Sequence, residues 1–517
     1  VRQNNPKGES VEFSTINQKG LSPNITELFS DSLFVIASNR GPVTIRKDDD
    51  GNWNYQKGSG GLVTALLGLN QNLSTTWVAS ALSQEEQEWS EGQVDLGGAL
   101  GSLHVKLLDI PEPVYEGYYN VISNPLLWFL QHSMWDFVRA PNINRDVWQA
   151  WENGYRQVNK TFAQALANII NSSDQPVLIM LQDYHLYLIP SYLRRLVKKG
   201  KNFTILHFVH IPFPGPEDWA VLPGVMRQQI LEGMCAVDLL GFQTRSDALS
   251  FIRTCETHLP ESRVNFRIGR VKYHRHETHV RDFPISIDVS ALRAMCEDEA
   301  VEYHRNRFRI MRRERKLIVR VDRTEPSKNI VRGFEAFGEM LENHPEFMEE
   351  VLFLAIMVPS RLEVSEYQTY LDEIMAAAGR VNARFGNSDW EPIRVLVGED
   401  YYRAVAALMD YDVLLVNPIA DGMNLVAKEG PVVNQQNGVL ILSERAGAHQ
   451  QLSNGALVVS PCDIQATSEA LYQGLTMPEQ EKQRMSQNLV QSIEIEDINF
   501  WLASQLQEVE QLKLIKR

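Results

Sequence analysis

"NPIADGMNLVAKEGPVVN", residues 417–434, decides the fold. The apolar run just before it, "DVLLV" (412–416), reads as a buried strand. "ADGMN" supplies a turn, and "LVAKE" opens a helix expected to end near Pro431, because proline cannot donate the next helical hydrogen bond. Ligands of open α/β sheets lie beyond the carboxyl ends of strands. A helix N-terminus there offers unpaired amides and a partial positive charge, which suit a phosphate. Asp421 in the turn can accept from sugar hydroxyls, and Glu429, one turn further on, from a ribose diol. The bland alternative is a plain connection with two solvated acids.

Working outward, β-branched runs recur on both sides. "LFVIAS" (33–38), "VLIML" (177–181), "FTILHFVH" (203–210) and "VDLLGF" (237–242) form one series. "KLIVRVD" (316–322), "VLFLAIM" (351–357), "IRVLVG" (393–398), "DVLLVNP" (412–418), "GVLILS" (438–443) and "ALVVSP" (456–461) form another. Helical stretches separate them, the pattern of parallel sheets covered on both faces. The expected fold class is α/β, with two Rossmann-like domains facing a cleft and joined near 285–295. Residues 1–30 read as a flexible arm, 31–288 and 289–490 as the domains, and 491–517 as a C-terminal helix packing back on the first. The basic run "RNRFRIMRRERK" (305–316) reads as a solvated helix face, with a polyanion site as the alternative.

Composition bounds the class. The 517 residues are 44% hydrophobic and 22% charged, with a net charge of −15. That balance disfavours nucleic acid and anionic membranes as partners. Cys235, Cys255, Cys296 and Cys462 form no CxxC pair, so no zinc site or disulfide framework is expected. No apolar run approaches the ~18 residues of a membrane span, and "VRQNNPKGES" lacks a signal peptide's apolar centre. A cytoplasmic enzyme or regulator is expected, with a homo-oligomer open.

Further candidates cluster where strands end. Arg323 and Lys328 in "VRVDRTEPSKN" suit a diphosphate, Arg through a bidentate contact and Lys as a point charge. Gly58, Gly60 and Gly61 of "KGSGGLVTALLGL" would let backbone approach a phosphate, and Arg40 of "SNRGPV" would hold a second anion. Asp183 of "LQDYHL" is placed as a hydroxyl acceptor, base or simple N-cap. His210 of "HIPFP" ends a strand before a rigid proline loop. Tyr119 and Trp128 would line an acceptor pocket or a core. No metal-ligand spacing and no GxSxG elbow occurs. Each feature alone has an ordinary structural explanation.

Together and in this order, "SNRGPV…GSGGLVTAL", "QDYHL", "HIPFP", "LLGFQT", "VDR…SK", "VPSR", "DGMNLVAKE" and "GVLILSERAGA" resemble the trehalose-6-phosphate synthase family, glycosyltransferase family 20, over about residues 33–505. The resemblance implies a GT-B fold and metal-independent, retaining transfer of glucose from UDP- or GDP-glucose, with no cofactor, to glucose 6-phosphate. Small-molecule sugar nucleotide and sugar phosphate would be its partners. The first domain would bind acceptor and the second the nucleotide-sugar.

Carried over, Arg323 and Lys328 match the donor-phosphate pair and Asp421 the contact to glucose hydroxyls. Gly422, Met423, Asn424, Leu425 and Val426 match the helix start facing the donor, and Glu429 the ribose carboxylate. Gly60 and Gly61 match the loop whose amide approaches the leaving phosphate. Arg40, Tyr119 and Arg361 match residues holding the acceptor phosphate, and Trp128 one lining the acceptor pocket. Asp183 matches an acceptor-hydroxyl contact and His210 a residue beside the reacting glucose. Arg323, Lys328, Asp183, His210 and Asp421 are the expected catalytic set.

Two departures stand out. Where the family reads R.DY.KG, this chain has Arg323-Thr324-Glu325-Pro326-Ser327-Lys328-Asn329, and "PISID" carries Ser286 where glycine is common. Related branches take glycerol 3-phosphate or join cyclitols, as in validamycin biosynthesis, and some members are non-catalytic sensors. With the charged residues retained, glucose 6-phosphate is the expected acceptor.

Overall fold

A computed structural model describes residues 31–48, 50–57, 75–95, 102–361 and 364–515. The strands of its first half are β1 (Leu33–Ala37), β2 (Val43–Lys47), β3 (Trp53–Lys57), β4 (Thr75–Ser80), β5 (Glu91–Asp95), β6 (Ser102–Leu108), β7 (Val177–Gln182), β8 (Phe203–Phe208), β9 (Leu239–Phe242), β10 (Arg263–Asn265), β11 (Arg270–Tyr273) and β12 (His276–Asp282). Strands β2 and β3 make a separate hairpin. The others form one sheet in the order β10-β11-β12-β9-β8-β7-β1-β4-β6-β5. Its seven central strands are parallel, and only the edges, β5 on β6 and the β10–β11–β12 meander, are antiparallel. Every residue of β7 is buried, as a parallel strand covered on both faces requires.

The second half holds β13 (Lys316–Arg323), β14 (Val351–Val358), β15 (Ile393–Val397), β16 (Val413–Val416), β17 (Val439–Ser443) and β18 (Ala456–Val459). They form an all-parallel sheet in the order β15-β14-β13-β16-β17-β18. The strand order reverses between β13 and β16, which opens a crevice at their carboxyl ends. Lys328 follows β13 and Asp421 follows β16, so the two motifs singled out from sequence flank that crevice. The molecule is the two-domain α/β arrangement that the sequence predicts.

The chain crosses between the sheets through residues 283–288. The buried Lys428 ammonium donates to the Ile285 carbonyl (2.8 Å), tying this crossover to the helix Val426–Val433. That helix runs past Pro431 rather than ending there. The lost donor costs one bond, and burial of Ala427, Val432 and Val433 holds the turn together.

At the C-terminus a helix Glu479–Ile495 breaks at 496–497 and a second follows, Ile498–Gln511. Residue 491 thus falls inside a helix. The second helix lies on the first sheet: Trp501 meets Phe208 edge-on at 5.2 Å, and Arg281 pairs with Glu508 at 2.7 Å.

The basic run is not a solvated face throughout. Arg305 is 9% exposed and clamps Asp410 with two bonds of 2.9 and 2.7 Å, while Arg309 adds an ion pair (3.3 Å) and Arg312 bonds the Asp410 carbonyl (3.0 Å). One acid before β16 consumes three of the arginines. No helix among the described residues is long and apolar enough to cross a membrane.

Candidate active site

The floor of the cleft is an ion pair. After β13, a single 3₁₀ turn, Pro326–Lys328, carries Lys328 to where its ammonium bonds the Asp421 carboxylate. Asn424 donates to the same oxygen at 3.1 Å. Burial pushes the Asp421 carboxyl up, but the Lys328 ammonium outweighs it and holds the group below the usual carboxylate range.

The turn itself explains one departure from the family motif. Asn329, standing where glycine is usual, has φ +59°, a left-handed conformation that asparagine tolerates better than most residues. Its side-chain amide donates to the carbonyls of Asn417 (2.9 Å) and Pro461 (2.6 Å). A left-handed turn that glycine could also make is therefore fastened to the ends of β16 and β18. Beneath it the fully buried Arg320 pairs with Asp322 (2.8 Å) and donates to the Lys328 carbonyl (3.0 Å).

Asp421 belongs to a loop that touches the other half of the molecule. A Cβ on Gly422 would stand 1.9 Å from the His210 carbonyl oxygen, so only glycine permits this approach. Met423 is buried, Asn424 is left-handed (φ +69°), and Leu425 precedes the helix that starts at Val426. On that helix Glu429 accepts from the Tyr401 hydroxyl (3.1 Å), and burial raises its carboxyl against that bond.

The opposite wall comes from a π-helical segment, Gly117–Trp128, whose wide turns and internal Pro125 escape a 3.6-residue reading. It presents Tyr119 and Trp128. Arg40 donates to the Tyr119 hydroxyl at 3.4 Å. Against burial, the Arg361 and Arg40 guanidiniums hold that phenol below its usual value.

Arg361, from the second domain, reaches across. Its guanidinium lies 4.1 Å from the centre of the Trp128 ring and donates to Tyr367 (2.6 Å) and, over the cleft, to Tyr184 (3.4 Å). Arg323 stands 5.9 Å from the same ring. Cation–π contact and charge thus gather at one tryptophan.

Asp183 does not cap a helix. It sits just past β7 with φ +70° and makes no side-chain cap bond. Instead it accepts from the His210 amide at 3.2 Å. Burial raises its carboxyl to about 6, opposed by that bond and by Arg361 and Arg323. Burial drives the His210 imidazole down to about 3, with His207 adding to it, so the ring is neutral and donates Nε2–H to Gln182 (2.9 Å).

Of the residues singled out from sequence, Arg323, Lys328, Asp421 to Val426, Arg40, Tyr119, Trp128, Arg361, Asp183 and His210 gather about this one cleft, while Glu429 sits further along the helix with Tyr401 as its partner. Gly58, Gly60 and Gly61 lie outside the described residues, as does the 1–30 arm.

Four residues were not singled out. His132 stacks on Trp128 at 4.0 Å and bonds the Trp128 carbonyl (2.8 Å), and burial lowers its imidazole to about 4. Tyr184 and Tyr367 serve Arg361. Glu325 is fully buried between Arg323 and Arg361. Its place between Arg323 and Lys328 in the motif was the one available signal. Among the described residues, no group of three or more His, Cys, Asp and Glu side chains is arranged to hold a metal ion.

A family model for glycosyltransferase family 20 matches residues 32–511. The UDP-forming alpha,alpha-trehalose-phosphate synthase of Candida albicans is 34% identical over 479 residues, 92% of this chain and 96% of that relative. The Pichia angusta enzyme of the same name is 35% identical over 477 residues, 90% and 96% of the two. Among solved structures, the E. coli protein bound with UDP-2-fluoro glucose superposes with a TM-score of 0.80 at 28% identity, covering 93% of this chain and 99% of that one. A Burkholderia xenovorans synthase in complex with glucose-6-phosphate gives 0.78 at 26%, covering 93% and 100%. With the family model spanning both sheets and the cleft between them, the chain belongs to glycosyltransferase family 20.

Proposed function

We propose that the protein transfers glucose from UDP-glucose to glucose 6-phosphate with retention, giving trehalose 6-phosphate. The observation that carries this reading is the meeting of two cationic sites at one cleft: Arg323 and Lys328 at the sheet's switch point, and Arg40, Tyr119 and Arg361 around Trp128. One site suits a diphosphate and the other a sugar phosphate.

Breaking the donor's C1–O bond puts charge on the departing diphosphate and oxocarbenium character on the sugar. Lys328, Arg323 and the amides at the start of the Val426 helix stabilise the departing charge. Asp421 and Asn424 hold glucose hydroxyls, and Glu429, steadied by Tyr401, holds the ribose. The acceptor hydroxyl, oriented by Asp183, attacks from the face the diphosphate leaves, and the leaving phosphate takes its proton. Orientation and electrostatics then supply most of the rate.

This reading needs no metal. It assigns acceptor binding to residues 31–288 and donor binding to 289–490, and places the enzyme in the cytoplasm. The test is incubation with UDP- or GDP-glucose and a panel of glucose 6-phosphate, glycerol 3-phosphate and phosphorylated cyclitols, following nucleotide release and product by NMR. UDP and trehalose 6-phosphate from UDP-glucose support the proposal. Another glucosylated phosphate, such as a glucosylglycerol phosphate or a glucosyl cyclitol phosphate, moves the acceptor, and binding without nucleotide release makes the protein a sensor.

A further inference from the structure

Glu325 lies between cations of both walls. It is fully buried. Its Oε1 lies 3.0 Å from the Arg323 guanidinium and 3.6 Å from that of Arg361, and accepts from Ser360 at 3.2 Å. Its Oε2 is buried with no hydrogen-bond partner. The two arginines share the Trp128 ring as well, at 5.9 and 4.1 Å. In the reading above, Arg323 serves the donor diphosphate and Arg361 the acceptor phosphate, so one acid lies against one cation of each site.

Lys328, in contrast, has an acid of its own in Asp421. A half-satisfied carboxylate between two cations, in a place water does not reach, is a costly arrangement unless it offsets something worse. Two guanidiniums against one ring with no anion would be worse.

We propose that Glu325 is a positioning residue that acts as an internal counter-anion. It occupies the positive field of Arg323 and Arg361 while the cleft is empty, and so moderates the affinity of both phosphate-bearing ligands. The inference rests on the proposed roles of the two arginines. Its signature is its sign. A residue that only braced the arginines would, when altered, weaken ligand binding. A counter-anion, when neutralised, destabilises the empty cleft more than the filled one and therefore tightens binding, because a ligand shifts an equilibrium by its differential affinity for the two states. Tighter binding of products then slows turnover.

The test is calorimetric titration of wild type, Glu325→Gln and Glu325→Asp with UDP and, separately, with glucose 6-phosphate. Glutamine keeps an acceptor for Arg323 and removes the charge. The expected result is tighter binding of both ligands to Glu325→Gln, by about fivefold or more, the lower range of linked-site coupling. A lower kcat and a larger rise in melting temperature on adding UDP accompany it. Glu325→Asp retains the charge and should bind both ligands within about threefold of wild type, the scatter of single interactions. It keeps the test alive should the glutamine variant fail to fold. Unchanged or weaker binding of either ligand to Glu325→Gln, or a large loss in Glu325→Asp, overturns the proposal. Trehalose 6-phosphate formation by wild type is assayed in parallel. Its absence defeats the proposed function, while the titrations judge the counter-anion independently.

Discussion

The two walls of the cleft hold their cations in different ways, and in the proposed function each meets a phosphate, the donor's on one side and the acceptor's on the other. On the donor wall the ammonium of Lys328 has a private acid, Asp421, within its own domain, and the loop beneath is bolted by Asn329 and by the buried Arg320–Asp322 pair. On the acceptor wall Arg361 crosses from one domain to the other. It rests on a tryptophan, two phenols and a share in Glu325. The first is a rigid, locally neutral floor, suited to charge that develops at a fixed bond. The second is a set of contacts between domains, which in the proposed function meet the acceptor phosphate. Gly422 against the His210 carbonyl is a further place where the walls meet, backbone to backbone.

The sharpest way to break this contrast is Lys328→Ala. Losing a charge from a leaving group is expected to cost about 2.7–4 kcal/mol by analogy with oxyanion donors. That is a loss of kcat of roughly a hundred- to a thousandfold, read by steady-state kinetics with circular dichroism to check the fold. Turnover near wild type would show that the floor does not face the leaving group.

Next is Arg361→Ala, which removes charge-assisted bonds worth about 1.5–3 kcal/mol. Activity with glucose 6-phosphate should fall accordingly while UDP affinity holds. Equal damage to both ligands would erase the distinction between walls.

Asp183 sharpens the comparison through pH. Its carboxyl titrates near 6 in the fold, raised by burial, against about 3.9 in the unfolded chain. Between those values the native state holds the extra proton, so stability falls as pH rises through that window and the penalty stays complete above it. Asp183→Asn should therefore raise melting temperature above pH 6, by an amount reflecting about 1–3 kcal/mol, and leave it unchanged near pH 3. A variant destabilised above pH 6 would contradict the burial argument.

The smallest effect belongs to Tyr401→Phe. Loss of one hydrogen bond to Glu429, about 0.5–1.5 kcal/mol, should raise the KM for UDP-glucose a few-fold and spare that for glucose 6-phosphate.

Much of this was legible in the chain, and the misses have physical causes. The apolar runs marked all of β13–β18 and, in the first sheet, β1, β7, β8 and β9, because buried strands need no alternation, but they left out the parallel strands β4, β6 and β12. The antiparallel edges escaped: β10 (Arg263–Asn265) is three residues long with an exposed-intermediate-exposed pattern, and β5 (Glu91–Asp95) is polar at its ends. Turn-and-helix motifs placed Lys328, Asp421 and Glu429 because spacing along the chain sets them. Glu325 carried only its place between Arg323 and Lys328, since its second cation, Arg361, lies 36 residues on, and His132 was hidden in an apolar stretch where stacking on Trp128 leaves no mark of its own. The loss of glycine at 329 looked like a change of chemistry. The backbone there is left-handed, a conformation that glycine and asparagine both reach, which only a dihedral angle can reveal.

The most direct test is a crystal structure of the wild type with UDP and glucose 6-phosphate bound together. The account predicts the diphosphate on Lys328, Arg323 and the Val426 helix start, and the sugar phosphate on Arg40, Tyr119 and Arg361. A diphosphate seated away from Lys328, with the ammonium still engaged only by Asp421, would contradict it.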